Sequence, residues 1–378
     1  PRLGRSTRAV IAGKKTPAEL GFTLHPLEEN AVVAQIATMD GPRFQGCTGT
    51  LIGDRLVVTA GHCVVMNQQA WLEGAAEPQV IDPEIVQYVV GSDIDSPDCT
   101  LDVEAVHLQP QIAVTELHGI EHDMALVVLQ RALLESCPHA IPLQYNSERL
   151  AEELVGQTLL QGGYGSLDGT YDFSPVRYWS ALELTQRDLY IIMVSDTGQG
   201  MPTFGDSGSG ALHRTGDGAL RVLGVLSGGD GSSGSSSAFV RLSNESSFYG
   251  EVADLETVCG GVDQAGACIG EARVTCDGWG FRLAEDCAAQ GLRCVAGEAG
   301  GATCASPPEP DAGATPQPDA GPAPDSGVDA AAAHSPVTAG DEGGGCNTVP
   351  GAGGPGWLLV GLLVGLLLAA RRRQARQR

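Results

Sequence analysis

Short apolar runs recur through the first two thirds of the chain and set what it can fold into. They fall at residues 31–36, 56–59, 85–90, 125–129, 220–226 and 238–242, with Gly, Asp and Ser filling the gaps. Runs this short, bounded by turn residues, read as β-strands. No long helical pattern alternates with them, which argues against a parallel α/β sheet. The spacing predicts an all-β sandwich or barrel, and a stretch of about 240 residues has room for two barrels sharing an interface. One helix is expected over residues 244–258, where Phe248, Val252 and Leu255 fall on one stripe at i, i+4 and i+7.

Shifts in composition divide the chain. Residues 1–9 read as the remnant of a propeptide, and 10–256 as the large β domain. Residues 257–305 hold six cysteines: Cys259, Cys268, Cys276, Cys287, Cys294 and Cys304. That stretch has few large apolar side chains, so its fold is expected to depend on disulfides. Six cysteines allow 15 pairings, and spacing does not choose among them. The spacings are not the CxxC pairs of a zinc site, and no metal or cofactor is called for. The module reads either as a spacer or as a binder of substrate or surface polymer.

Residues 306–345 are Pro, Ala, Asp and Gly, with Pro-Asp-Ala-Gly at 310–313 and again at 318–321. Such a chain buries too little apolar surface to fold and reads as a disordered stalk. Residues 346–378 carry a 14-residue apolar run, 357–370, followed by five arginines. The run is expected to form a short apolar helix, below the ~20 residues of a comfortable membrane span. The basic end is expected on the cytoplasmic side and the stalk outside.

The chain carries 46 acidic and 22 basic residues, a net charge of −24. Binding to a nucleic-acid backbone requires clustered Lys and Arg, so nucleic-acid partners are not expected. Eleven cysteines point to an oxidising compartment and an exported protein. Cys99 and Cys137 could form a pair within the β domain, and Cys346 is left over beside the C-terminal segment. The chain opens at Pro1 with no apolar segment ahead of the first domain, and the expectation is that a leader has been removed.

Three local motifs carry chemistry. Thr59-Ala60-Gly61-His62-Cys63 supplies a histidine, His122-Asp123-Met124-Ala125-Leu126 an aspartate, and Gly205-Asp206-Ser207-Gly208 a serine among small residues. A serine hydroxyl is inert near neutral pH unless a base removes its proton. His62 is the candidate base. His122 stands next to Asp123 and is a formal rival, but neighbouring side chains on a strand face opposite ways, so it is expected to point away.

In the order His, Asp, Ser, these motifs resemble the chymotrypsin/trypsin-like serine proteases over about residues 10–256. Cys47-Thr48-Gly49-Thr50-Leu51-Ile52 is similar to the family's strand before the histidine. The resemblance implies a double six-stranded antiparallel β-barrel with a C-terminal helix. It implies that His62, Asp123 and Ser207 form the catalytic triad, and that the N–H groups of Gly205 and Ser207 form the oxyanion hole. It also implies that a Cys47–Cys63 disulfide clamps the His62 loop. No cofactor is implied, and the partners are protein or peptide substrates.

Val10-Ile11-Ala12-Gly13 resembles the family's new N-terminus, so an activating protease is a further expected partner. The freed Val10 amine would pair with Asp206. For the substrate pocket, the resemblance places Met201 at its base and Ser237 on its wall. Ser227, Gly228 and Gly229 would pair with substrate backbone. Met201 stands where basic-specific members carry an aspartate, and Thr203 replaces a usual cysteine. An uncharged residue before the scissile bond is therefore expected.

The C-terminal 33 residues resemble the Myxo-CTERM type of sorting segment. The features are Gly345-Cys346, a Gly/Pro-rich hinge at 350–355, the apolar run and the arginines. The resemblance implies processing near Cys346 and display at the cell surface or outer membrane, with the C-terminal segment contacting membrane. The reading is an exported or surface-displayed serine endopeptidase. The rival is an inactive protease-like surface binding or adhesion protein.

Overall fold

The computed structural model describes residues 13–38, 43–115, 119–166, 173–188, 191–229, 236–297 and 301–307. The chain divides into two units, Pro1–Pro307 and Pro308–Arg378. The expected propeptide remnant, the Val10 terminus, the stalk beyond 307, the apolar helix and Cys346 lie outside the described residues. Among the described residues, no helix is long and apolar enough to cross a membrane.

The first barrel uses β1 (Val32–Thr38), β2 (Arg43–Gly53), β3 (Leu56–Thr59), β4 (Val86–Val90) and β5 (Cys99–Leu108). A small ribbon follows, β6 (Ala113–Thr115) with β7 (Gly119–Glu121), and then β8 (Ala125–Leu129). The strands close antiparallel in the order β1-β2-β3-β8-β5-β4. Every residue of β3 and β8 is buried. One face of each strand lines the barrel and the other is covered by neighbouring structure, which is why both read as continuous apolar runs instead of alternating ones.

The second barrel uses β10 (Thr158–Gly163), β11 (Tyr178–Arg187), β12 (Ile191–Gln199), β13 (Gly210–Arg214), β14 (Leu220–Gly229) and β15 (Ser236–Arg241), after the short β9 (Gln144–Tyr145). Its order is β13-β10-β11-β12-β15-β14, closed by pairing of β14 back onto β13, with β9 added parallel to β14. Closure leaves few unpaired edges in either barrel. The fold is therefore the expected all-β pair of six-stranded barrels.

Buried polar groups tie the barrels together. Arg177 is almost fully buried, and its Nη1 donates to the Val32 carbonyl at 3.1 Å while its Nη2 donates to Asn30 Oδ1 at 3.1 Å. The Tyr164 hydroxyl donates to the Gly91 carbonyl at 2.5 Å. Arg214 reaches the buried Glu28 with both of its outer nitrogens, at 3.2 and 2.7 Å. The paired fork satisfies a carboxylate that would be costly to bury alone.

The single helix expected over 244–258 is two short ones, Ser246–Val252 and Leu255–Cys259. Asp254 breaks it. Its backbone is extended, and its side chain accepts from Thr257 N as the cap of the second helix. Leu255 therefore leaves the apolar stripe and is 70% exposed, whereas Phe248 is buried.

Among the described residues five disulfides form: Cys47–Cys63, Cys99–Cys137, Cys259–Cys276, Cys268–Cys294 and Cys287–Cys304. The last three staple β16 (Ala267–Ile269), β17 (Ala272–Asp277) and β18 (Gly280–Asp286), and the hairpin β19 (Arg293–Ala296) with β20 (Ala302–Ala305). Ile269, Val274 and Phe281 belong to the same buried cluster as the first barrel. Tyr145 N donates to the Trp279 carbonyl at 2.7 Å, and the rings of Tyr145, Tyr249 and Trp279 stack. The helix Leu255–Cys259 runs through the position where the β domain was expected to end.

Candidate active site

β3 delivers the chain into a tight turn, Gly61–Val64, that carries His62. Asp123 lies between β7 and β8, fully buried. It accepts three hydrogen bonds. His62 N reaches Oδ1 at 2.7 Å, His62 Nδ1 stands 2.7 Å from Oδ2, and Ser227 Oγ donates to Oδ2 at 2.6 Å. A bare buried carboxylate would be strongly destabilising, and three donors offset that cost.

The same contacts set the basicity of His62. Burial alone would lower its pKa. The negative charge of Asp123, and the hydrogen bond from Nδ1 to it, outweigh burial and leave the imidazole pKa above its usual 6.5. With Nδ1 committed to Asp123, the other ring nitrogen is the one left to take up a proton.

Ser207 sits on the loop between β12 and β13. Its carbonyl accepts from Thr48 N at 2.8 Å and lies 3.6 Å from the sulfur of Cys63, the residue after His62. The Cys47–Cys63 disulfide thus joins the strand bearing Thr48 to the turn bearing His62, directly over the serine backbone. Gly208 has φ +88, and a Cβ there would come within 2.2 Å of the Thr48 carbonyl and 2.1 Å of Thr59 Oγ1. No other residue fits this approach. Gly205 has φ +94, and its carbonyl accepts from Thr48 Oγ1 at 2.9 Å. Among the described residues, the amide N–H groups of Gly205 and Ser207 donate to no protein acceptor, and Ser207 Oγ makes no hydrogen bond. Bonds between a nucleophile and its base are often loose without substrate.

Asp206 is buried beside this loop. It accepts from Thr203 N and Gly165 N, each at 2.8 Å. Burial pushes its carboxyl pKa up to about 6, against the lowering by those two amides. A pocket beside it is lined by Gln161, Gly163, Gly165, Tyr178, Trp179 and Ser180. Trp179 also pairs through its backbone with Lys14, at 2.8 and 2.7 Å. Lys14 therefore lies, through this isolated bridge, against the Trp179 wall of the pocket that Asp206 lines.

Met201 is 1% exposed and packs into the apolar cluster of the second barrel with Leu182, Ile192 and Phe239. Ser237 is buried, and its Oγ approaches Gly229. Thr203 Oγ1 donates to the Ser166 carbonyl at 2.9 Å, a polar tie where the sequence lacks the usual cysteine. Gly228 lies in open surroundings. The sequence reading assigned Ser227 to substrate backbone and did not find its hydroxyl bond to Asp123. It also gave no role to Thr48, whose N–H and hydroxyl both hold the serine loop. Cys47, His62 and Cys63 bring three possible metal ligands together, but both sulfurs are consumed in the disulfide and no thiolate remains.

A family model described as Trypsin matches residues 26–248. No curated protein matches the chain.

Proposed function

The chain belongs to the trypsin family, whose match covers more than half of its length, and from that premise we propose that it is an active serine endopeptidase. The observation that carries the proposal is the three-way hydrogen bonding of Asp123 by His62 N, His62 Nδ1 and Ser227 Oγ. That arrangement orients one imidazole as a base, beside a serine whose backbone is fixed.

In the proposed reaction, Ser207 Oγ attacks the carbonyl carbon of the scissile peptide bond and gives its proton to the free ring nitrogen of His62. Asp123 stabilises the resulting imidazolium. The carbonyl oxygen becomes an oxyanion facing the N–H groups of Gly205 and Ser207, which find no acceptor among the described residues. One such donor is worth about 2.7–4 kcal/mol in the transition state. The C–N bond breaks as His62 returns the proton to the leaving amine. Water, deprotonated by His62, then attacks the acyl carbon, and the bond from that carbon to Ser207 Oγ breaks as His62 returns the proton to Oγ, releasing the acid.

The active form is proposed to begin at Val10, its freed α-amino group pairing with Asp206. The buried carboxylate, raised to about 6, and the Lys14–Trp179 pairing beside it support this reading. Met201, with no charge to offer a cation, supports cleavage after an uncharged residue. The five disulfides among the described residues support an oxidising compartment, and the composition of residues 346–378 supports export and surface display.

Cleavage of a peptide library by chain processed at Val10, with Ser207→Ala as control, tests the proposal. Cuts after uncharged residues that vanish in the control are expected. Cleavage dominated by Arg or Lys would contradict the pocket reading, and equal cutting by the control would contradict the mechanism.

A further inference from the structure

The carboxylate of Asp123 is fixed by three donors, but its backbone needs a separate account. His122, immediately before it, is the one non-glycine residue among those described with positive φ, at 53°. Its carbonyl accepts from Met124 N at 2.7 Å, closing a three-residue turn centred on Asp123. Histidine tolerates left-handed backbone better than most residues, yet such a conformation persists only where the surroundings impose it.

The surroundings here form a closed circuit. His122 Nδ1 stands 2.8 Å from Glu245 Oε1. Glu245 Oε2 accepts from Gln109 Nε2 at 2.5 Å. Gln109 N donates to the carbonyl of Met124, the residue after Asp123, at 3.1 Å, and Gln109 Oε1 accepts from Gln111 N at 2.6 Å. The circuit therefore grips the chain on both sides of Asp123. Glu245 is 2% exposed and lies where the turn Leu242–Asn244 meets the helix Ser246–Val252. Its backbone is held at both ends, by Glu245 N to the Leu242 carbonyl at 2.8 Å and Tyr249 N to the Glu245 carbonyl at 3.0 Å. A buried acid on a fixed helix end is a rigid anchor, and the triad chemistry makes no use of it.

We propose that His122, Glu245 and Gln109 form a bracket that positions Asp123, so that its carboxylate meets His62 Nδ1 in register. His122 and Glu245 are then positioning residues: they touch no reacting atom and act through Asp123. Small misplacement of a catalytic group costs up to about a hundred-fold in rate. A bracket of this kind therefore bears on kcat and leaves substrate binding alone. The inference rests on the proteolytic reading for its kinetic consequence, but not for its geometry.

The test uses the full chain after processing at Val10, as wild type and as His122→Ala, His122→Asn and Glu245→Gln. Asparagine tolerates the same backbone and offers an amide donor to Glu245. Three quantities are read: kcat and KM on a peptide substrate, the rate of fluorophosphonate labelling at Ser207, and the low-field proton resonance of His62 Nδ1–H. His122→Ala is expected to lower kcat and the labelling rate about ten-fold or more, to leave KM within about two-fold, and to shift the His62 proton. His122→Asn is expected to recover most of each loss. If His122→Ala fails to fold, Glu245→Gln is read in its place and is expected to move the same three quantities in the same direction. A folded His122→Ala with wild-type kcat and an unmoved His62 proton overturns the bracket, and so does His122→Asn performing no better than alanine. Wild type that does not label contradicts the catalytic reading instead, and the His62 proton then still decides the bracket.

Discussion

Ser227 Oγ donates to Asp123 at the same carboxylate oxygen, Oδ2, that faces His62 Nδ1, at 2.6 Å against 2.7 Å. One oxygen thus serves a strand of the second barrel and a turn of the first. The bond joins the second barrel to the first, so barrel packing and imidazole orientation meet at one group. A hydrogen bond to a charged partner is worth about 1.5–3 kcal/mol. Ser227→Ala is therefore expected to lower kcat/KM about ten- to hundred-fold on a peptide substrate. Unchanged kinetics in a folded variant would remove Ser227 from the account.

In the proposed mechanism, the raised pKa of His62 sets the acid limb of the rate profile. A general base must be neutral, and Asp123 favours the imidazolium by more than burial opposes it. Activity is expected to fall as pH drops through a value above 6.5 in kcat/KM. For stability the sign is opposite. The pairing with Asp123 contributes fully below the unfolded histidine pKa and is lost as pH rises through the folded one. Measuring kcat/KM and unfolding over the same pH range separates the two.

Asp206 is expected to make the chain sensitive to acid in an unusual direction before the proposed processing at Val10. Its folded pKa of about 6 lies above the ordinary 3.8. Between those values the folded state holds more protons than the unfolded one, so stability rises on acidification, by on the order of 3 kcal/mol. Pairing with a freed Val10 amine would abolish the gain. Chemical unfolding at pH 4 and pH 7, before and after processing, should show the acid stabilisation only before. Its persistence after processing would exclude the ion pair.

The six-cysteine module shares its core with the first barrel. Phe281 is 1% exposed in that cluster, and Trp279 stacks on Tyr249. Phe281→Ala is expected to destabilise by about 3–5 kcal/mol and to lower one joint unfolding transition. Two transitions in calorimetry, with only one shifted, would mean the module folds on its own.

What could be read from the sequence was local. The runs at 56–59 and 125–129 are β3 and β8 because both faces of each strand are covered, which leaves a continuous apolar signature. The residues around Ser207 and His62 announce themselves by glycine and cysteine at fixed offsets. What could not be read was any contact made across the chain. Ser227 finds Asp123 from 104 residues away, and Glu245 finds His122 from 123. No periodicity encodes such a pairing. The expectation for His122 assumed strand alternation, whereas the residue sits in a turn at positive φ, and its ring direction is set by Glu245. The stripe 248-252-255 failed for a local reason that sequence did carry: Asp254 with Thr257 is a capping pair, and a cap begins a new helix.

The central claim is that Ser207 is a nucleophile activated by His62 held on Asp123. Intact-mass analysis of the Val10-processed chain after exposure to a fluorophosphonate tests it most directly, with His62→Ala and Ser207→Ala alongside. The account predicts one adduct, mapped to Ser207, formed quickly in wild type, slowed by about a thousand-fold or more in His62→Ala, and absent from Ser207→Ala. Wild type that takes up no label, or labels as slowly as His62→Ala, would contradict it and leave a protease fold that binds without cutting.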